Sequence, residues 1–114
     1  MDRQADQSPL ETFLVERYWP GIDLAQLRAV LPRLDLAARA MTAEGIRVEH
    51  VGSILMPVDQ VVFSLIAAST EADVRQLNER AELPVDRIAA AVALMAGDLP
   101  AREPDDGQAR RGRT

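Results

Sequence analysis

His50 is the only imidazole in a chain of 114 residues that has neither cysteine nor lysine. That inventory restricts the chemistry first. Without thiols there are no disulfides, thiolate zinc sites, iron–sulfur ligation or cysteine nucleophiles. Imidazole titrates near neutrality, so His50 is the first candidate for proton transfer. Glu16 is the second, and Tyr18 and Ser64 are polar groups able to orient a ligand. Glu49 stands beside His50, but neighbours on a strand point to opposite faces, so the pair is not expected to chelate one ion. Gly52-Ser53 lacks the flanking pattern of a nucleophile elbow, and no acid partner for His50 is recognisable, so no triad is expected. The glycine-rich and Gly-Lys-Ser/Thr phosphate loops are absent, which removes the common nucleotide-binding routes. Each candidate also has a plain structural reading. Glu16 and Arg17 would form edge or interface ion pairs, Tyr18 and Trp19 would anchor a strand end, Ser64 would be a tolerated small residue, and His50 a hydrogen-bonded structural histidine.

The formal charge of −5, from 18 acids against 13 arginines, works against binding to phosphate polymers. Arg110, Arg111 and Arg113 form the one basic cluster, but Glu103, Asp105 and Asp106 precede it, and the segment reads as a solvated tail. With 47% hydrophobic and 27% charged residues the chain suits one domain with one core. Neither a basic leader with an apolar segment nor an apolar run of about 18 residues is visible, so a soluble cytoplasmic protein without membrane or nucleic-acid partners is expected.

The elements that must position these residues follow from periodicity. Residues 1–9 read as a frayed terminus, 10–96 as the domain, and 97–114, rich in Gly, Pro, Asp and Arg, as a disordered tail. Residues 13–19 are aromatic and aliphatic, are followed by the turn signal Pro20-Gly21, and predict a first strand. Asp23 with Gln26 three residues on predicts a capped helix start. Leu24, Leu27, Leu31, Leu34, Ala38 and Met41 then recur at helical spacing, predicting one face that runs to Gly45. Pro32 has no amide hydrogen for the Arg28 carbonyl, so a kink or short break is expected there. Residues 46–55 and 61–67 predict a hairpin. Thr70 with Asp73 predicts a second capped helix, in which Val74, Leu77 and Ala81 share a face, ending before Pro84. Residues 85–95 fit both periods. Ile88, Val92 and Met95 are spaced as in a helix, whereas Ile88, Ala90, Val92 and Leu94 alternate as in a strand.

If the last segment is a strand, the order is that of an α+β, ferredoxin-like βαββαβ domain: an antiparallel four-stranded sheet with two helices on one face. If it is a helix, residues 70–95 make a helix-turn-helix unit, although Asp86 and Arg87 followed by aliphatics leave few side chains for bases or phosphates. Three stretches carry a resemblance: Phe13-Leu14-Val15-Glu16-Arg17 followed by Pro20; Val51-Gly52-Ser53; and Glu79-Arg80-Ala81-Glu82-Leu83-Pro84-Val85-Asp86-Arg87-Ile88. Over roughly residues 12–95 the chain resembles a bacterial family of small ferredoxin-like domains, the domain-of-unknown-function 4242 group. Members commonly carry Ala-Gly where this chain has Ala81-Glu82. The resemblance implies a ferredoxin-like fold and, in some relatives, nickel held by histidines. With His50 alone, a multi-histidine site needs the same residue from both copies of a dimer, so no cofactor, nickel included, is expected.

The two helices of such a layer cover one sheet face. If Phe13, Val15, Val61, Phe63 and Leu65 meet the helices, the other face carries Leu14, Glu16, Tyr18, Val62, Ser64 and Ile66. Strand two adds either Arg47, Glu49, Val51 and Ser53 or Ile46, Val48 and His50, its register being open. That face is too apolar for water, so a homodimer packed sheet to sheet is expected. Between the sheets an apolar cavity would offer Glu16, Tyr18, His50 and Ser64 to a small apolar ligand. The expected function is a small dimeric binding or accessory domain. The alternative is a cofactor-independent monooxygenase- or isomerase-like enzyme, with His50 or Glu16 moving the proton.

Overall fold

Phe13, Val15 and Arg17 project to one side of strand β1 (Glu11–Tyr18) and are buried, while Leu14, Glu16 and Tyr18 project to the other. The computed structural model describes residues 9–98. The expected frayed terminus and disordered tail lie outside the described residues, apart from Pro9 and from Gly97 and Asp98 in the short turn Ala96–Asp98. After β1 the chain turns at Gly21, whose φ of 83° suits a residue without a side chain. Helix α1 (Leu24–Val30) then starts on a reciprocal cap. The Asp23 carboxylate accepts from the Gln26 N–H at 2.7 Å, and Gln26 Oε1 accepts from the Asp23 N–H at 3.1 Å.

The break expected at Pro32 divides the first predicted helix in two. Helix α1 stops at Leu31, and α2 (Pro32–Ala43) opens with Pro32 in its first turn, where a missing N–H costs no helical bond. Leu27, Leu34, Ala38 and Met41 of the predicted face are buried, whereas Leu24, ahead of the break, is 51% exposed. Strands β2 (Val48–Met56) and β3 (Val61–Ala68) form the expected hairpin. Helix α3 (Glu71–Ala81) starts at Thr70, whose Oγ1 accepts from the Asp73 N–H at 3.1 Å, and buries Val74, Leu77 and Ala81. Arg80 grips both carboxylate oxygens of Glu44 at 2.8 and 2.7 Å, and Arg33 donates to the carbonyls of Ala81 and Glu82 at 3.0 and 2.8 Å, tying α2 to the end of α3.

The ambiguous last segment is a strand. β4 (Arg87–Ala91) pairs antiparallel with β1, whose outer backbone groups need a partner, and this pairing overrides the helical preference of three consecutive alanines. The second helix of a helix-turn-helix unit is therefore not formed. The sheet order is β2-β3-β1-β4 with all neighbours antiparallel, the ferredoxin-like arrangement, and Phe13, Val15, Val48 and Ile66 of the sheet pack against Leu34, Met41, Val74 and Leu77 of the helices. Among the described residues no helix is long and apolar enough to cross a membrane.

The facing of β3 is the reverse of the expectation. Phe13, Val15 and Arg17 of β1 lie opposite Ile66, Ser64 and Val62, so these three, and not Val61, Phe63 and Leu65, meet the helices. Most side chains on both faces of β3 are apolar, so alternation could not choose between them. Only pairing with β1 decides.

Candidate functional site

Strict alternation would put His50 and Ser53, three residues apart on β2, on opposite faces. The ladder slips between His50 and Gly52. His50 lies opposite Ile66 and Gly52 opposite Leu65, leaving Val51 as an extra, bulged residue. Val48, His50, Ser53 and Leu55 therefore look toward the helices, and neither of the two sets expected for strand two survives intact. The bulge brings together groups that the pleat would separate. His50 Nε2 lies 2.8 Å from Ser53 Oγ, which lies 2.7 Å from Ser64 Oγ, directly across the ladder on β3. The first turn of α2 supplies Asp35, whose Oδ1 is 3.3 Å from His50 Nδ1. The imidazole thus has an acid partner that the sequence did not reveal.

Arg17 forms the other end of this chain. It is fully buried, with Nε donating to Ser64 Oγ at 3.3 Å and Nη1 to the Pro84 carbonyl at 2.8 Å, while Nη2 has no partner. Pro84 is held in reach because the next turn is sewn to β1. The Asp86 N–H donates to the Glu16 carbonyl at 2.8 Å, and the Asp86 carboxylate accepts from the Tyr18 N–H at 2.5 Å. Desolvation lowers the guanidinium pKa to about 10, which still leaves it charged at neutral pH. Arg17 is thus no edge or interface ion pair, since its place on the helix side of β1 puts it in the interior. Glu16 does take an ion-pair partner, Arg87, at 3.6 Å on the open face.

His50, with a side chain 10% exposed, opens onto a groove of about 480 Å³ between α2 and the outer strand β2, lined by Asp35, Ala38, Arg39, Thr42, Val48 and His50 itself. A groove of this size with apolar walls and a few polar groups suits a small molecule. Both imidazole nitrogens are engaged, so a metal would have to displace Ser53 or Asp35. Among the described residues no group of three or more His, Cys, Asp or Glu is placed to hold a metal ion.

The four expected site residues divide between the two faces of the sheet. His50 and Ser64 are joined through Ser53 beneath the helices, while Glu16 and Tyr18 are on the open face, so one inter-sheet cavity does not gather them. Asp35, Ser53 and Arg17 were missed as its members. A glycine inside a strand is a signal for a bulge, and Gly52 could have aligned Ser53 with His50. Nothing local links Asp35 to a histidine 15 residues away. The open face is mixed, with Thr12, Glu16, Tyr18, Glu49 and Arg87 among its apolar side chains. Leu14, Phe63 and Leu65 are half-buried, and Ile54 and Tyr18 are 60% and 57% exposed.

No family model matches this chain, and no curated protein does. Among solved structures it is similar to the crystal structure of SCO4226 from Streptomyces coelicolor A3(2). That match has 21% identity and a TM-score of 0.61 over 75% of this chain and 99% of the other, a likeness that carries the α+β, ferredoxin-like fold.

Proposed function

We propose that the protein is a small binding domain that works as a homodimer, two copies meeting across their open sheet faces with an apolar small molecule held between them. The observation that carries the reading is the row Leu14, Ile54, Phe63 and Leu65 on the side of the sheet that no helix covers. Four strands about 4.8 Å apart and about seven residues long give a face of about 19 by 23 Å, or about 450 Å² in plan. Doubled, and with the relief of the side chains, it comes to about 1,000 Å², the area at which specific interfaces begin. A second copy brings the same apolar row in two-fold register, which no unrelated surface does by default. Gly52, opposite Leu65, leaves open space where a side chain would stand, a dent in which an apolar ligand would sit, with Glu16 and Tyr18 as the polar groups within reach of the same face. Membership of the 4242 group is proposed on the sequence stretches quoted above, and the ferredoxin-like fold supports it.

Light scattering on an eluting peak tests the dimer. Twice the chain mass is expected at tens of micromolar, with Phe63→Glu falling to a single copy that keeps its circular dichroism. A parent protein that elutes as one copy would overturn the reading. Native mass spectrometry of freshly purified dimer then asks for a retained apolar molecule, and its absence from a dimer would remove the ligand while leaving the interface.

A further inference from the structure

The hydrogen-bonded chain beneath α2 has a fixed direction, because its two ends are unlike. A guanidinium can only donate and a carboxylate can only accept. Between Arg17 and Asp35 stand two hydroxyls and one imidazole, each with one proton to give when the imidazole is neutral. One assignment lets every link hold one proton: Arg17 to Ser64, Ser64 to Ser53, Ser53 to His50 Nε2, and His50 Nδ1 to Asp35. Ser53 is therefore set to give its proton to an imidazole that an acid orients from behind, the relation that activates a serine hydroxyl.

We propose that Ser53 is an acyl-accepting nucleophile for small esters, with His50 as its base. This inference is independent of the dimer, since it concerns the opposite face of the sheet. Ser53 Oγ bonds to the acyl carbon as its proton passes to His50 Nε2. The carbon–oxygen bond to the leaving alcohol then breaks, and the alcohol departs with that proton. A water repeats the exchange, giving up a proton through His50, releasing the carboxylic acid and restoring Ser53. The Ser64 hydroxyl, which itself accepts from Arg17 Nε, donates to Ser53 Oγ and holds that oxygen beside the imidazole. β2 is an outer strand, so one of its edges carries no ladder partner. The groove of about 480 Å³ that His50 and Asp35 line, with Ala38 and Val48 in its walls, meets Ser53 only through the imidazole, and its size suits a short acyl ester. Asp35, Ser64 and Arg17 are positioning residues.

The full chain is treated with a fluorophosphonate probe, native and in denaturing urea, and the adduct is mapped by peptide mass spectrometry, with p-nitrophenyl acetate turnover measured in parallel. Labelling of native protein at Ser53 should exceed that of denatured protein at least tenfold, a comparison that needs no variant. Ser53→Ala should abolish the label and His50→Gln should lower it at least tenfold. Asp35→Asn should lower it, with Asp35→Glu restoring it. Equal labelling of native and denatured protein, or labelling that persists in Ser53→Ala, would overturn the proposal.

Discussion

Replacing Arg17 with methionine asks whether a buried charge is retained for stability. Burial lowers the guanidinium pKa to about 10, and at about 1.4 kcal/mol per pH unit that fall costs the folded state about 3 kcal/mol. Against it stand two hydrogen bonds from the charged guanidinium, to Ser64 and Pro84, each contributing about 1.5 kcal/mol, and a buried Nη2 that contributes none. Methionine replaces the aliphatic stem of arginine, is flexible enough to fill an irregular gap and carries no charge. Ser64 keeps its bond to Ser53. Arg17→Met is therefore expected to unfold within about 1 kcal/mol of the parent, or to be slightly more stable, as apolar replacements of buried ions often are. Urea unfolding followed by the fluorescence of Trp19, the single tryptophan, which packs against the buried cluster of Ile22, Leu27 and Val62, reads this directly. The pH dependence has a definite sign. A base whose pKa is depressed on folding weighs against the folded state while it stays charged, and that weight is relieved as pH rises through about 10. The parent should gain stability relative to Arg17→Met between pH 9 and about 11. A loss of about 3 kcal/mol or more at pH 8 would refute the reasoning and make Arg17 a structural tie.

Glu82 closes α3 in the left-handed region, at φ 56° and ψ 47°, where glycine is the usual residue, so Glu82→Gly should raise the thermal midpoint by a few degrees, about 1 kcal/mol, and a fall would contradict the strain argument. The Arg80 hydrogen bond holds the Glu44 carboxyl below its usual range, so its contribution is present above that range and lost as pH drops through the lowered value. Glu44→Gln should accordingly be less stable than the parent at pH 7, with the gap closing in thermal melts below pH 4, whereas a gap independent of pH would point away from the charge. Thr70→Ala removes the oxygen that accepts from Asp73 N and should cost about 1 kcal/mol in urea melts.

The parts of the chain legible in advance are those decided within a few residues. Asp23 with Gln26 and Thr70 with Asp73 announce helix starts, and Pro32 announces a break, because caps and missing amides act over one turn of backbone. The order of elements then fixed a short list of folds, and the ferredoxin-like one was on it. Tertiary structure decided the rest. Residues 85–95 satisfied two periods, and only the open flank of β1 selected the strand. The sides of β3 could be exchanged without offending alternation, until pairing with β1 sent Ser64 inward and Phe63 outward. One slipped residue at Val51 then turned Ser53 onto the side of His50, and helix packing delivered Asp35 to the same ring. Arg17, whose charge suggests the surface, is buried because its neighbours on alternate positions, Phe13 and Val15, belong to the core. Local chemistry determined which elements form. Which side chains meet was a matter of register between segments far apart in the chain, where a shift of one residue moves every side chain to the opposite face.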